Sequence, residues 1–399
     1  MSETLNLFSS LDESSRDEAF EDLAQSESSD DFDVSTEDFS NLFIIPSDWS
    51  ISVVKEYLGD RIELDPSFQR RGVWSKQAKS KFIESIFLGI PIPQILLAEF
   101  NGSDFIVLDG KQRLLAIKEF IDGKFDDGSP FVLRGLEILK TINDQNWSSI
   151  KKNPKLARSF ENSTIRFAQI RGWQKEAVLY EIFYRLNSGS VKLSPMELRM
   201  ALIRGDFLRA VITWTESPGP LHLLLNLKQP DKRMNDVELA VRFLAFQDRR
   251  IEYRGNLKEF LDDYCKIQNV KFEVKSVSDR LNEMNKAIST VISIMGARGA
   301  CRKWLPNERK FDRRFNRAIF DVVIGSLADQ RVREWALQNE SAFLSCYQRC
   351  FDNLTFVSSV ETTTKSIGAT RDRFEIWLNE LEKASSIKLE MPNIAERPE

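Results

Sequence analysis

"FIVLDGKQRLLAI", residues 105–117, changes its pattern halfway along. Phe105 to Leu108 are continuously apolar and read as a buried strand. Asn101-Gly102 just upstream is a hairpin signal, so this strand returns antiparallel to one at about 94–100. From Lys111 the apolar residues Leu114, Leu115, Ile117 and Ile121 share one helical face, predicting a helix over about 111–121. Asp109 and Gly110 are all that separate strand from helix. The first N–H groups of such a helix have no partner within it, and its dipole favours an anion there. Gly110 permits close approach of a ligand, Lys111 adds charge, and Arg113 has the geometry to grip a phosphate. Asp109 can hold a metal ion, orient a water or cap the helix. A plainer reading stands beside this one, because Asp-Gly is a common turn pair.

Ser75 is placed to cap a helix from Lys76 to about Leu88, ended by Gly89. "SDWSISVVKEYLGD" reads as a short helix capped by Ser47 or Ser50, and "RIELD" as a short strand. Residues 122–163 are loop-rich, 163–170 alternate like a strand, and 173–187 are helical. Ser194, Pro195 and Glu197 make a capping box before a helix running to about Ile203. From 206 onward the pattern is helical. Asn235 and Glu238 repeat the capping-box spacing, and the stripe from Val277 through Leu281, Met284, Ile288 and Val291 to Met295 reads as core. The expected fold class is α+β. A disordered acidic tail covers 1–43, an α/β domain 44–205, an α-helical domain 206–385 and a loose tail 386–399.

Composition sets limits. Of 399 residues, 42% are hydrophobic and 29% charged, enough for packed domains. No run reaches the ~18 apolar residues of a membrane span, and the start lacks a signal-peptide core. A cytoplasmic protein without a membrane partner is expected. Cys265, Cys301, Cys346 and Cys350 read as free buried thiols. The single histidine, His222, excludes a histidine-rich metal nuclease site and reads as a satisfied residue. Residues 1–40 hold 13 acidic residues against Arg16, with ten serines, so the net −4 hides a mildly basic body. That tail either solubilises the chain or covers its basic surface.

Two further clusters flank the turn: Gln69, Arg70, Arg71 and Trp74 upstream, and Arg185, Asn187, Ser188, Gly189, Lys192, Glu197 and Arg199 downstream. "DPSFQRRGVW" (65–74), "PIPQILLAEF" with "FIVLDGKQRLLAI" (91–117) and "FYRLNSGSVKLSPMELR" (183–199) follow one another in order. Over residues 45–205 the chain resembles the N-terminal domain of the GmrSD-type restriction endonucleases, itself similar to the ParB and sulfiredoxin fold. The resemblance implies a bound nucleoside triphosphate, Mg2+, and in some members hydrolysis tied to phage defence or modified-DNA sensing. It places Asp109, Gly110, Gln112 and Arg113 around the nucleotide, with Gln69 and Arg70 beside it and Asn187 from the third motif. Asp109 and Arg113 are the expected catalytic pair, with Asp109 on the metal.

The chain departs from the family's Asp-Gly-Gln-Gln-Arg pattern at Lys111, which keeps a phosphate partner but loses an acceptor. It also lacks the histidines of the family's nuclease domain, and so looks like a stand-alone half working on DNA or with a separate nuclease or defence partner. The alternative is a non-catalytic nucleotide- or DNA-binding module. The oligomeric state, a homo-oligomer included, stays open. In the helical half, Arg309, Lys310, Arg313 and Arg314 lie among Trp304, Phe311 and Phe315. Basic residues interleaved with aromatics suit DNA, and a solvated helix face with Phe311 and Phe315 in the core is the competing reading.

Overall fold

The computed structural model describes residues 34–62, 64, 74–100, 102, 104–186, 194–203, 205–271, 273–362 and 364–396. The chain divides into two compact units, with the boundary between Leu193 and Ser194.

The first unit is built on a four-stranded sheet. Strand β1 (Phe43–Ser50) leads into α1 (Ile51–Tyr57), followed by α2 (Lys76–Phe87), β2 (Ile95–Phe100), β3 (Asp104–Asp109) and α3 (Lys111–Asp122). Short α4 (Trp147–Ile150) and α5 (Pro154–Glu161) precede β4 (Thr164–Arg171) and α6 (Glu176–Leu186). The strand order is β1-β4-β2-β3. β4 runs antiparallel to β1 and parallel to β2, and β2 runs antiparallel to β3.

The expected hairpin is present, with Asn101 itself outside the described residues. The unbroken apolar runs of β2 and β3 have a physical cause, because both sheet faces are covered. Ile95, Leu97, Phe105, Val107, Ile165 and Phe167 join one core with Ile83, Leu114 and Phe120. Their strand neighbours Leu96, Ala98, Ile106, Leu108 and Ile170 are also buried.

Local signals located several ends well. Ser75 Oγ accepts the Ala78 N–H at 3.1 Å, as its position before α2 predicts. Ser50, rather than Ser47, caps α1, because Ser47 lies inside β1. β1 itself was not expected, since the sequence predicts no strand before the short helix. "RIELD" contributes only single bridges at Ile62 among its described residues.

In the second unit, α7 (Pro195–Leu202) opens with the expected capping box. Ser194 Oγ accepts from Glu197 N at 3.1 Å and Glu197 Oε2 accepts from Ser194 N at 2.6 Å. This helix is grouped with the residues that follow it, so the boundary falls before 194 and not at 205. Next come α8 (Asp206–Thr215), α9 (Pro220–Leu224), α10 (Asn235–Gln247), α11 (Leu257–Lys271) and α12 (Val274–Met295). A two-stranded ribbon of β5 (Arg302–Leu305) and β6 (Lys310–Phe315) interrupts the helices. The unit continues with α13 (Arg317–Leu327), α14 (Gln330–Gln338), α15 (Glu340–Cys350), α16 (Leu354–Glu361) and α17 (Ile367–Ser385).

α10 and α13 are buried along nearly their whole lengths and form the centre. The α12 stripe faces this core through Val277, Leu281, Met284, Ile288 and Val291.

Three expectations are corrected in this unit. The ribbon replaces helix over 302–315, because a four-residue spacing of Phe311 and Phe315 also puts two residues on one face of a strand. Asn235 does not cap α10. It is the first helical residue; Met234 holds the N-cap position without a side-chain cap, and Asp231 accepts from Asn235 N at 2.8 Å and Nδ2 at 2.6 Å. The C-terminal segment is not loose through 396. Tyr253 N donates to Asn393 O at 2.8 Å, Ala395 N donates to Tyr253 O at 2.9 Å, and Ile394 is buried.

His222 is satisfied as expected and lies in the core, with Nδ1 accepting from Gly219 N and Nε2 lying 3.1 Å from Asp236 Oδ2. All four cysteines are free and buried. Burial pushes the Cys265 thiol up to about 12 and raises Cys301, Cys346 and Cys350 as well. Since the thiolate is the nucleophile, no thiol should react with an alkylating reagent at pH 8 in the folded protein, whereas all four should react in denaturant. Mass spectrometry reads both states, and rapid labelling of any native cysteine contradicts the burial.

Candidate functional site

The Asp109 turn is made by an irregular end to the sheet. Leu96 pairs with Asp109 while Leu97 pairs with Val107, leaving Leu108 as an extra residue in β3. Such a bulge redirects the residue that follows it. The Asp109 carboxylate is accordingly half exposed at the sheet end.

Gly110 then takes φ +94°, and a Cβ there would lie 2.8 Å from Ile95 Cγ1. Both the backbone angle and the buried Ile95 require glycine. No side chain caps α3. Its N-terminus keeps the anion-attracting character that the sequence suggested.

Asp109 and Arg113 face each other, but Arg113 has other partners as well. Asp109 Oδ1 accepts the Gly110 N–H at 2.7 Å, and Oδ2 accepts Arg113 Nη2 at 2.8 Å. Arg113 Nη1 donates to the Pro93 carbonyl and, at 3.3 Å, to that of Gln94. Only 12% of the Arg113 side chain is exposed. The guanidinium therefore ties the segment before β2 to the turn and orients the carboxylate.

Gln112 Oε1 accepts the Trp74 N–H at 3.4 Å, and Trp74 stacks edge-on against Phe82 in α2 at 5.4 Å. This fixes the residue just after the Gln-Arg motif beside the turn. Gln69, Arg70 and Asn187 lie outside the described residues. Lys111 is the first residue of α3 and partly buried.

Other members of the third cluster serve the fold. Glu197 closes the capping box, and fully buried Arg199 pairs with Asp262 at 2.5 Å. Arg185 pairs with Glu181 at 2.6 Å. Sequence spacing had no means of showing the Asp262 partner, which is 63 positions away.

No group of three or more histidine, cysteine or acidic residues suits a metal among the described residues. Asp109 alone can take Mg2+ only with ligands brought by a phosphate, which is how Mg2+ is commonly held. Asp109 Oδ1 accepts from Gly110 and Oδ2 from Arg113, and the group is half exposed, so the fit is sterically open.

Arg309, Lys310, Arg313 and Arg314 are all exposed on or beside β6. No described helix is long and apolar enough to cross a membrane.

Residues 54–204 match the family described as "GmrSD restriction endonuclease, N-terminal domain". No curated protein and no solved structure matches the chain. The matched span contains the bulged strand, the Asp109 turn and the uncapped helix. Over residues 54–204, the chain carries a GmrSD restriction endonuclease N-terminal domain.

Proposed function

We propose that the Asp109 turn binds a nucleoside triphosphate with Mg2+, and that the chain is an NTP-hydrolysing module of a restriction system directed at phage DNA. The observation that carries this reading is the uncapped N-terminus of α3, entered through a glycine that brings backbone close to any ligand. In this reading the N–H groups of Lys111 and Gln112 and the Lys111 side chain meet the phosphates. Asp109 holds the metal that the triphosphate brings, or orients the attacking water. Arg113 acts through Asp109, fixing its rotamer against the Pro93 and Gln94 carbonyls. Bound Mg2+ would neutralise charge developing on the phosphate oxygens. Gln69, Arg70 and Asn187 complete the proposed nucleotide contacts, and a separate nuclease supplies DNA cleavage.

A second reading, a nucleotide-binding module without turnover, is favoured by the Arg113 geometry. Its donors are directed at main-chain carbonyls and at Asp109. Calorimetric titration and phosphate release over an NTP panel with Mg2+ separate the two readings. Turnover lost in Asp109→Ala and in Arg113→Ala supports the first, and the Lys111→Gln variant should change affinity for the triphosphate. Tight binding without turnover supports the second. Turnover unaltered in both alanine variants rules out the assigned site.

A further inference from the structure

The β5–β6 ribbon has two chemically distinct aspects. Trp304 pairs with Phe311 and Arg302 with Phe315, so these four side chains share one face. Trp304 and Phe311 meet edge-on at 5.2 Å, Phe311 lies 6.1 Å from Tyr347, and Phe315 lies 6.0 Å from Phe320. Arg302 is buried and donates to the Ala297 and Ala300 carbonyls at 2.7 Å, and Tyr347 Oη donates to the Arg302 carbonyl at 2.5 Å. The root of the ribbon is therefore fixed to the helical unit.

The tip is different. Arg309, Lys310, Arg313 and Arg314 are exposed around the turn and along β6. Glu308 pairs with Lys310 at 2.5 Å, and Asp312 lies 3.6 Å from Lys303, which also pairs with Glu361. Among the described residues, Arg309 and Arg313 have no acidic partner. Arg309 also sits at φ +50°, a left-handed position that glycine would fill with less strain. A strained arginine at a loop tip points to use of its side chain.

We propose that this ribbon docks in the major groove of double-stranded DNA, with Arg309 and Arg313 contacting backbone phosphates and Lys310 and Arg314 adding to the field. The B-form major groove, about 12 Å wide, admits a two-stranded ribbon. The deep, narrow groove of A-form RNA does not. The inference stands on the ribbon alone and is independent of nucleotide binding at Asp109.

The test uses the full chain and fluorescence anisotropy with a short random-sequence DNA duplex across a salt series. The parent should bind with log affinity falling linearly against log salt. Arg309→Gly combined with Arg313→Ala should lower affinity about tenfold or more and make the salt slope shallower by about 1.8. Arg309→Gly alone should leave the melting temperature unlowered, which separates DNA contact from folding. Glu308→Gln releases Lys310 and should tighten binding. Arg331→Ala, which removes an arginine paired with Asp329 elsewhere in this unit, should leave binding unchanged. Parent-like binding by the double variant, an equal loss in Arg331→Ala, or preference for an RNA duplex overturns the proposal.

Discussion

Asp321→Ala is expected to destabilise the helical unit by about 3–5 kcal/mol, because it removes the anion between two buried cations. Arg242 donates to both Asp321 oxygens at 2.5 Å, and Arg373 Nη2 lies 3.6 Å from Oδ2. Asp321 and Arg373 are almost wholly buried. The two arginines respond differently. Burial works against the charge on Arg242, yet the Asp321 carboxylate holds it above its ordinary value. Burial lowers Arg373 to about 10, since its contact with Asp321 is longer and single. Without Asp321, Arg373 loses its carboxylate and Arg242 is left with the charge of Glu238. A denaturant midpoint reads the loss. Adding Arg242→Met and Arg373→Met to Asp321→Leu should recover much of it, since packed apolar groups often replace buried ions without penalty. A loss under about 1 kcal/mol in Asp321→Ala contradicts this account.

Gly110→Ala is expected to cost roughly 2–4 kcal/mol, from left-handed backbone strain and overpacking together. The added Cβ would meet Ile95 Cγ1 at 2.8 Å and Cγ2 at 3.2 Å, and Ile95 is fully buried in the sheet. It would also lie 3.3 Å from Arg113 Nη2, disturbing the group that orients Asp109. Stability should therefore fall together with any nucleotide affinity. Arg113→Lys gives the contrast, because it keeps the backbone and loses the fork that spans Asp109 and the Pro93 carbonyl. A thermal melt of Gly110→Ala matching the parent would show that the turn tolerates a side chain.

The parts of the fold legible in the sequence are those fixed within a few residues. Ser75 and the Ser194–Glu197 box locate helix starts because a cap is satisfied three positions away. The Asp109 turn was legible for the same reason. The parallel pairing of β2 with β4 was not, since its partners are some seventy positions apart and each run alone reads only as apolar. β1 was hidden because the serines and Trp49 that precede α1 fit a helix start equally well. The ribbon was hidden because Phe311 and Phe315 stand four apart, a spacing that one face of a helix and one face of a strand share. At the turn, the need for glycine at position 110 could be inferred locally. The use of Arg113 on the Pro93 carbonyl could not, because 20 residues separate them.

The bridge between Tyr253 and Ile394 sets an order of events during synthesis. Residues 32–193 form a compact unit from one continuous stretch. The second unit, which opens at Ser194, joins Tyr253 to Ile394, 141 positions later. At roughly 5–20 residues per second, a ribosome leaves the first partner waiting on the order of ten to thirty seconds for the second. Through that interval the backbone groups of Tyr253 that Asn393 and Ala395 later satisfy must be met by water or by a helper protein. The first unit faces a wait of similar length, since Phe43 in β1 pairs with Arg171 in β4, but both partners lie earlier in the chain, so the scaffold of the Asp109 turn can be complete before the helical unit closes.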